Sequence, residues 1–140
     1  MPAPTDNRAL IHAFVEEFWN KKNFGWADQG MSPDFYRREI GSGDEYQGIA
    51  GIKEAARKWA GAFPDSHLTV EESIVEGDAG AARFTAVGTH QGEFEGLPPT
   101  GRKITLRGIS TFRFADGRIS QELVSLDALG LMQQLGAIPS

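Results

Sequence analysis

The dipeptide Asp116-Gly117 constrains this chain more than any other feature. It separates two runs of alternating apolar and polar residues, 103–114 (KITLRGISTFRF) and about 118–127 (RISQELVSLD). Asp-Gly between such runs marks a two-residue hairpin turn. A connection this short makes the two strands antiparallel, since parallel neighbours need a long crossover. The turn fixes an expected register of Phe112 with Gln121, Ser110 with Leu123 and Gly108 with Ser125. Under it Asp127 shares a face with Phe112, Ser110 and Leu106. Two further runs precede this hairpin, 67–76 and 80–92, with Asp78 in the turn between them. Gly96-Leu97-Pro98-Pro99-Thr100-Gly101 forms a rigid loop before the hairpin.

Helical patterns lie mostly ahead of these strands. After a Pro-rich start, Met1 to Thr5, residues Leu10, Ile11, Phe14, Val15, Phe18 and Trp19 recur at three and four spacing, which predicts an amphipathic helix over 6–21. A short helix or turn covers 24–30, a short strand 35–40, and a second long helix 49–62. A last short helix follows from Asp127 to Gly136. Helices first and a meander after them predict an α+β fold, with helices against one face of a curved antiparallel sheet. A sheet curved around helices forms a cone with an interior suited to a small hydrophobic molecule.

With 140 residues, the chain forms one domain, residues 1–140. Nine Phe and three Trp supply a deep apolar interior or a ring-lined pocket. A net charge of −5 without basic runs argues against nucleic acid or an anionic membrane as partner. Absence of Cys removes disulfides, thiol nucleophiles and thiolate metal sites. No apolar stretch reads as a signal or membrane span, so a cytoplasmic location is expected.

Asp127 is the leading candidate for chemistry. It reads either as an acid in the cavity or as the N-cap of the following helix, a position Asp favours. His90 ends a strand beside the Pro-Pro loop, placed to shuttle a proton or to hold that loop. Arg83, Arg107 and Arg113 lie in strands, where one of them can bind a carboxylate or pair with Asp127. Phe14, Phe18, Trp19, Tyr36, Trp59, Phe84, Phe112 and Leu123 are candidate pocket walls, with Arg83 as a polar contact. His12, His67 and His90 are scattered and make no metal site. No phosphate loop, nucleophile elbow or dinucleotide fingerprint occurs.

The stretch GTHQGEFEGLPPTG (88–101), followed by a strand, then DGRI and DALGLMQQLG, resembles the SnoaL-like polyketide cyclases, also called ester cyclase-like proteins. Weaker matches run in order through Phe18-Trp19-Asn20, Ser32-Pro33-Asp34-Phe35 and Phe63-Pro64-Asp65. The resemblance implies the cone-shaped fold of the nuclear transport factor 2-like superfamily, a cystatin-like roll. It further implies ring closure by intramolecular aldol condensation, no cofactor and no metal, an acid/base aspartate matching Asp127, and a homodimer. Three departures stand out: Arg38-Glu39 and Glu122 occupy places where relatives often carry His, and Leu123 a place where they often carry Trp. A non-catalytic binding protein, an isomerase and an epoxide hydrolase on the same fold remain alternatives.

Overall fold

The computed structural model describes residues 6–139, so the Pro-rich start lies outside the described residues. Asp6 caps helix α1 (Asn7–Ala13), its carboxylate accepting the Ala9 N–H at 2.7 Å. The predicted single helix is in fact two registers. From Phe14 to Asn20 the backbone widens to a π-helix, and Lys21 N–H bonds to Glu16 C=O five residues back. The wider turn brings Trp19 against Phe14, five positions apart, at 5.9 Å between ring centroids. Leu10, Ile11, Phe14 and Phe18 face the core.

A 3₁₀ turn (Phe24–Trp26) and a single helical turn, α2 (Ala27–Gly30), lead into strand β1 (Met31–Glu39). Strand β2 (Glu45–Gln47), absent from the sequence expectation, precedes α3 (Gly48–Ala62). Strands β3 (His67–Glu76), β4 (Ala79–Thr89), β5 (Lys103–Ala115) and β6 (Arg118–Leu126) then form the meander, and α4 (Ala128–Gln134) closes the chain. The architecture is the expected α+β, a six-stranded open sheet in the order β2-β1-β6-β5-β4-β3. All neighbours are antiparallel except β1 and β6, which run parallel. Almost the whole domain lies between those two strands, which supplies the long crossover a parallel pair requires.

Bulges in β1, β3 and the β5–β6 pair bend the sheet around the helices. Core residues form two clusters, one under α1 and the π-helix, the other between α3, α4 and the sheet. The bulge in the last hairpin matters most for function. Asp116 and Gly117 both take positive φ, 54° and 73°, as the expected turn requires. The pairs Ala115–Arg118 and Phe114–Ile119 follow from it, but Arg113 then pairs with Gln121. Ser120 is the extra residue, and every later residue of β6 is shifted by one. Phe112 therefore pairs with Glu122, Ser110 with Val124 and Gly108 with Leu126.

The free edge of β3 is covered by side chains from the N-terminal helix. Asn20 makes two bonds to one residue: its Oδ1 accepts Leu68 N–H at 2.7 Å and its Nδ2 donates to Leu68 C=O at 2.9 Å. Arg8 donates to Ser73 C=O, and Asn7 to Gly77 C=O. Gln134 of α4 does the same on β5, just past the end of β6, with bonds of 2.7 and 2.8 Å to Thr105 N–H and C=O.

Candidate functional site

Between the concave face of the sheet and the helices lies a cavity of about 340 Å³. Phe14, Val15 and Trp19 wall it from the first helix, Trp59 from α3, Phe84, Leu106 and Phe112 from the sheet, and Leu131 and Met132 from α4. Its surface is mostly apolar, with polar groups gathered on the β1–β6 side. Among the described residues no helix is long and apolar enough to cross a membrane, and no three His, Asp or Glu converge as metal ligands would.

Arg37 and Glu122 are direct neighbours in the parallel β1–β6 pair. Arg37 Nη1 donates to Glu122 Oε1, and Ser110 Oγ donates to Glu122 Oε2 at 2.8 Å. Arg37 is 6% exposed, Glu122 4% and Ser110 fully buried. The second terminal nitrogen of Arg37 stands 3.7 Å from Glu39 Oε2. Its guanidinium carbon lies 5.5 Å from the Trp19 ring centroid, a cation–π contact that the π-helix makes available. A buried ion pair costs desolvation that its mutual attraction offsets only with good geometry and extra hydrogen bonds. Ser110 and Trp19 provide such support here.

Toward the rim, burial pushes the Glu39 carboxyl above the usual carboxylate range; Arg37 opposes this, and Asp44, Glu95 and Glu122 add to it. Burial likewise raises the Tyr46 hydroxyl, reinforced by the charge of Glu39. Lys58 on α3 stands 5.7 Å from the Tyr46 ring centroid.

Phe14, Trp19, Trp59, Phe84 and Phe112 line the cavity. Phe18 is fully buried in the core beneath the cavity wall. Tyr36 points to the opposite face of β1 and donates to Glu45 at 2.8 Å. Arg83 and Leu123 stand on the outer face of the sheet, Leu123 because of the Ser120 bulge. Asp127 also lies away from the cavity. Its Oδ1 accepts Gly130 N–H at 3.0 Å as the N-cap of α4, beside Arg83 and Arg107 in a shallow outer groove. The expected face-sharing with Phe112 and Ser110 fails because the bulge reverses the strand. His90 is fully buried behind the cavity wall. Its Nδ1 accepts Thr100 N–H at 3.2 Å and meets Thr100 Oγ1 at 3.0 Å, holding the Pro-Pro loop, and its ring lies 5.5 Å from Phe63.

Sequence reasoning passed over Arg37, Ser110 and, as a reactive group, Glu122. One signal was available: Arg37 and Glu39 follow the buried Phe35 at two-residue spacing in β1, so all three share a face.

The sequence profile of the SnoaL-like polyketide cyclases matches residues 9–135. Among solved structures, TsrD of Streptomyces laurentii is 31% identical over 94% of this chain and 95% of its own, with a TM-score of 0.84. A candidate SnoaL-like polyketide cyclase of Jannaschia sp. CCS1 is 27% identical over 99% of this chain and 97% of its own, at 0.85. IdmH of Streptomyces antibioticus, a candidate polyketide cyclase, is 27% identical over 94% and 99%, at 0.83. No curated protein matches the chain in sequence.

Proposed function

The chain belongs to the SnoaL-like polyketide cyclase family, and from that premise we propose that it closes a ring in a small hydrophobic carbonyl compound by intramolecular aldol condensation, without a cofactor. The observation that carries this reading is the buried Arg37–Glu122–Ser110 group on the wall of a mostly apolar cavity. Enolisation needs a base beside the acidic C–H and a positive group beside the oxygen where charge develops. Glu122 is the base, which moves the acid/base role from Asp127 to the opposite face of the sheet. Arg37, bound to Glu122 and only loosely approached by Glu39, stabilises the enolate oxygen. The aromatic walls hold the planar body of the substrate and exclude water.

Glu122→Gln tests the role. Retro-aldol cleavage of a fluorogenic naphthyl β-hydroxyketone runs through the same groups by microscopic reversibility. The substitution is expected to lower kcat about 10²- to 10⁴-fold, the usual contribution of a positioned acid/base. Unchanged kcat in a variant that folds normally by circular dichroism rejects Glu122 as the base. A second reading, a small-molecule-binding protein on this fold, draws on the two donors that already satisfy Glu122. It expects ligand affinity without turnover. The homodimer implied by the resemblance would use the outer face of the sheet, where Val87 and Ile109 are half exposed, and sedimentation measures it directly.

A further inference from the structure

An aldol closure moves two protons, one from carbon and one to the new alkoxide. We propose that Glu39 is a second catalytic carboxyl, the group that exchanges a proton with the substrate oxygen while Glu122 exchanges one with carbon. This rests on the cyclase reading of the same cavity.

The geometry separates the two acids. Both line the cavity, and the guanidinium of Arg37 stands between them, one terminal nitrogen toward each. Glu122 is fixed by two hydrogen bonds. Among the described residues no group donates a hydrogen bond to the Glu39 carboxyl. Its ionic contact with Arg37, at 3.7 Å, is long. Its side chain is 23% exposed against 5% for Glu122, so it sits nearer the rim and can exchange protons with water.

The groups facing Glu39 come from every element around it: Arg37 on its own strand, Asp44 before β2, Tyr46 on β2, Lys58 on α3 behind Tyr46, Glu95 in the loop after β4, and Glu122 on β6. Burial and the three acids outweigh Arg37, so the protonated form persists to higher pH than for a solvated glutamate. The step then balances. Glu122 takes the C–H proton and the enolate carbon attacks the second carbonyl carbon. The C–C bond forms as the carbonyl π pair moves onto oxygen, and that oxygen takes the Glu39 proton. After the product leaves, solvent entering the open cavity returns the proton from Glu122 to Glu39, and the enzyme is restored.

Two measurements test this. The first is the affinity of 6-methoxy-2-acetonaphthone, an aromatic methyl ketone, by calorimetry between pH 5 and 8. In the wild type a protonated Glu39 donates to the ketone oxygen, so affinity falls at least fivefold as pH rises. In Glu39→Gln it stays flat. A flat wild-type profile, or the same slope in the variant, overturns the proposal, and no binding in either protein overturns the cavity reading beneath it. The second is the naphthyl β-hydroxyketone. Glu39→Gln is expected to lower kcat at least 10²-fold with KM within threefold. In this reverse direction Glu39 must be ionised, so wild-type turnover falls as pH drops through its pKa, and the variant loses that limb. Turnover lost in Glu122→Gln but intact in Glu39→Gln overturns this proposal alone.

Discussion

Replacing Arg37 by Met removes a cation that faces two carboxyls at once. Methionine fills much of the volume, so the loss is electrostatic. Breaking a buried ion pair from one side costs about 3–5 kcal/mol, because the surviving charge stays desolvated. Arg37 and Glu122 are both more than nine-tenths buried, which places the pair in that range. Glu39 is partly hydrated and adds less. Against a total stability of about 5–15 kcal/mol for a domain, Arg37→Met should be close to the limit of folding. At about 3–4 °C per kcal/mol for a chain of this size, Tm falls by roughly 10–20 °C. Adding Glu122→Leu removes the stranded charge and should recover most of the loss, leaving an unpaired Ser110 hydroxyl at about 1–3 kcal/mol. The assay is urea unfolding followed by tryptophan fluorescence and circular dichroism, with equal m values as the check that both states are unchanged. A coupling of at least about 3 kcal/mol between the two sites is expected from the cycle, because each single variant strands a buried charge that the double variant removes. Additive losses, or an Arg37→Met cost below about 1 kcal/mol, would refute the idea that this pair is a desolvated unit.

Asp127→Ala should cost about 0.5–2 kcal/mol, the usual loss of a helix N-cap, and leave kcat for the naphthyl β-hydroxyketone within threefold; a large kcat loss would return Asp127 to the chemistry. Gly108→Ala places a Cβ 2.6 Å from Phe84 Cζ and 2.9 Å from Leu126 Cδ2, so both side chains must move. Overpacking of this kind costs about 1–3 kcal/mol and should raise KM more than it lowers kcat, read from steady-state rates and chemical unfolding.

The fold was largely legible because its signals are local. The helical spacing of Leu10 through Phe18, the Asp116-Gly117 turn and the alternation of β5 each depend on neighbouring residues, and each appears in the structure. Strand β2 was missed because it is three residues long and exists by pairing with β1. The site was less legible for one reason. A bulge at Ser120 leaves no trace in composition or turn chemistry, yet it changes which side of the sheet all later residues of β6 face. Counting alternation from the correct turn therefore put Leu123 and Asp127 inside and Glu122 outside. The aromatic walls survived this error because most of them come from helices and from β4 and β5, upstream of the bulge.

The side chains seated along β3 also decide what this protein does when its first helix loosens. An edge strand with free N–H and C=O groups is a template for another chain. Here Asn20, Arg8 and Asn7 occupy those groups from a helix that these bonds and its apolar contacts with the core hold in place. The same amphipathic segment that walls the cavity therefore guards the β3 edge against pairing with another chain. Any truncation or substitution that frees it exposes an apolar stripe and a strand edge together, so early loss of this helix leads to aggregates before global unfolding.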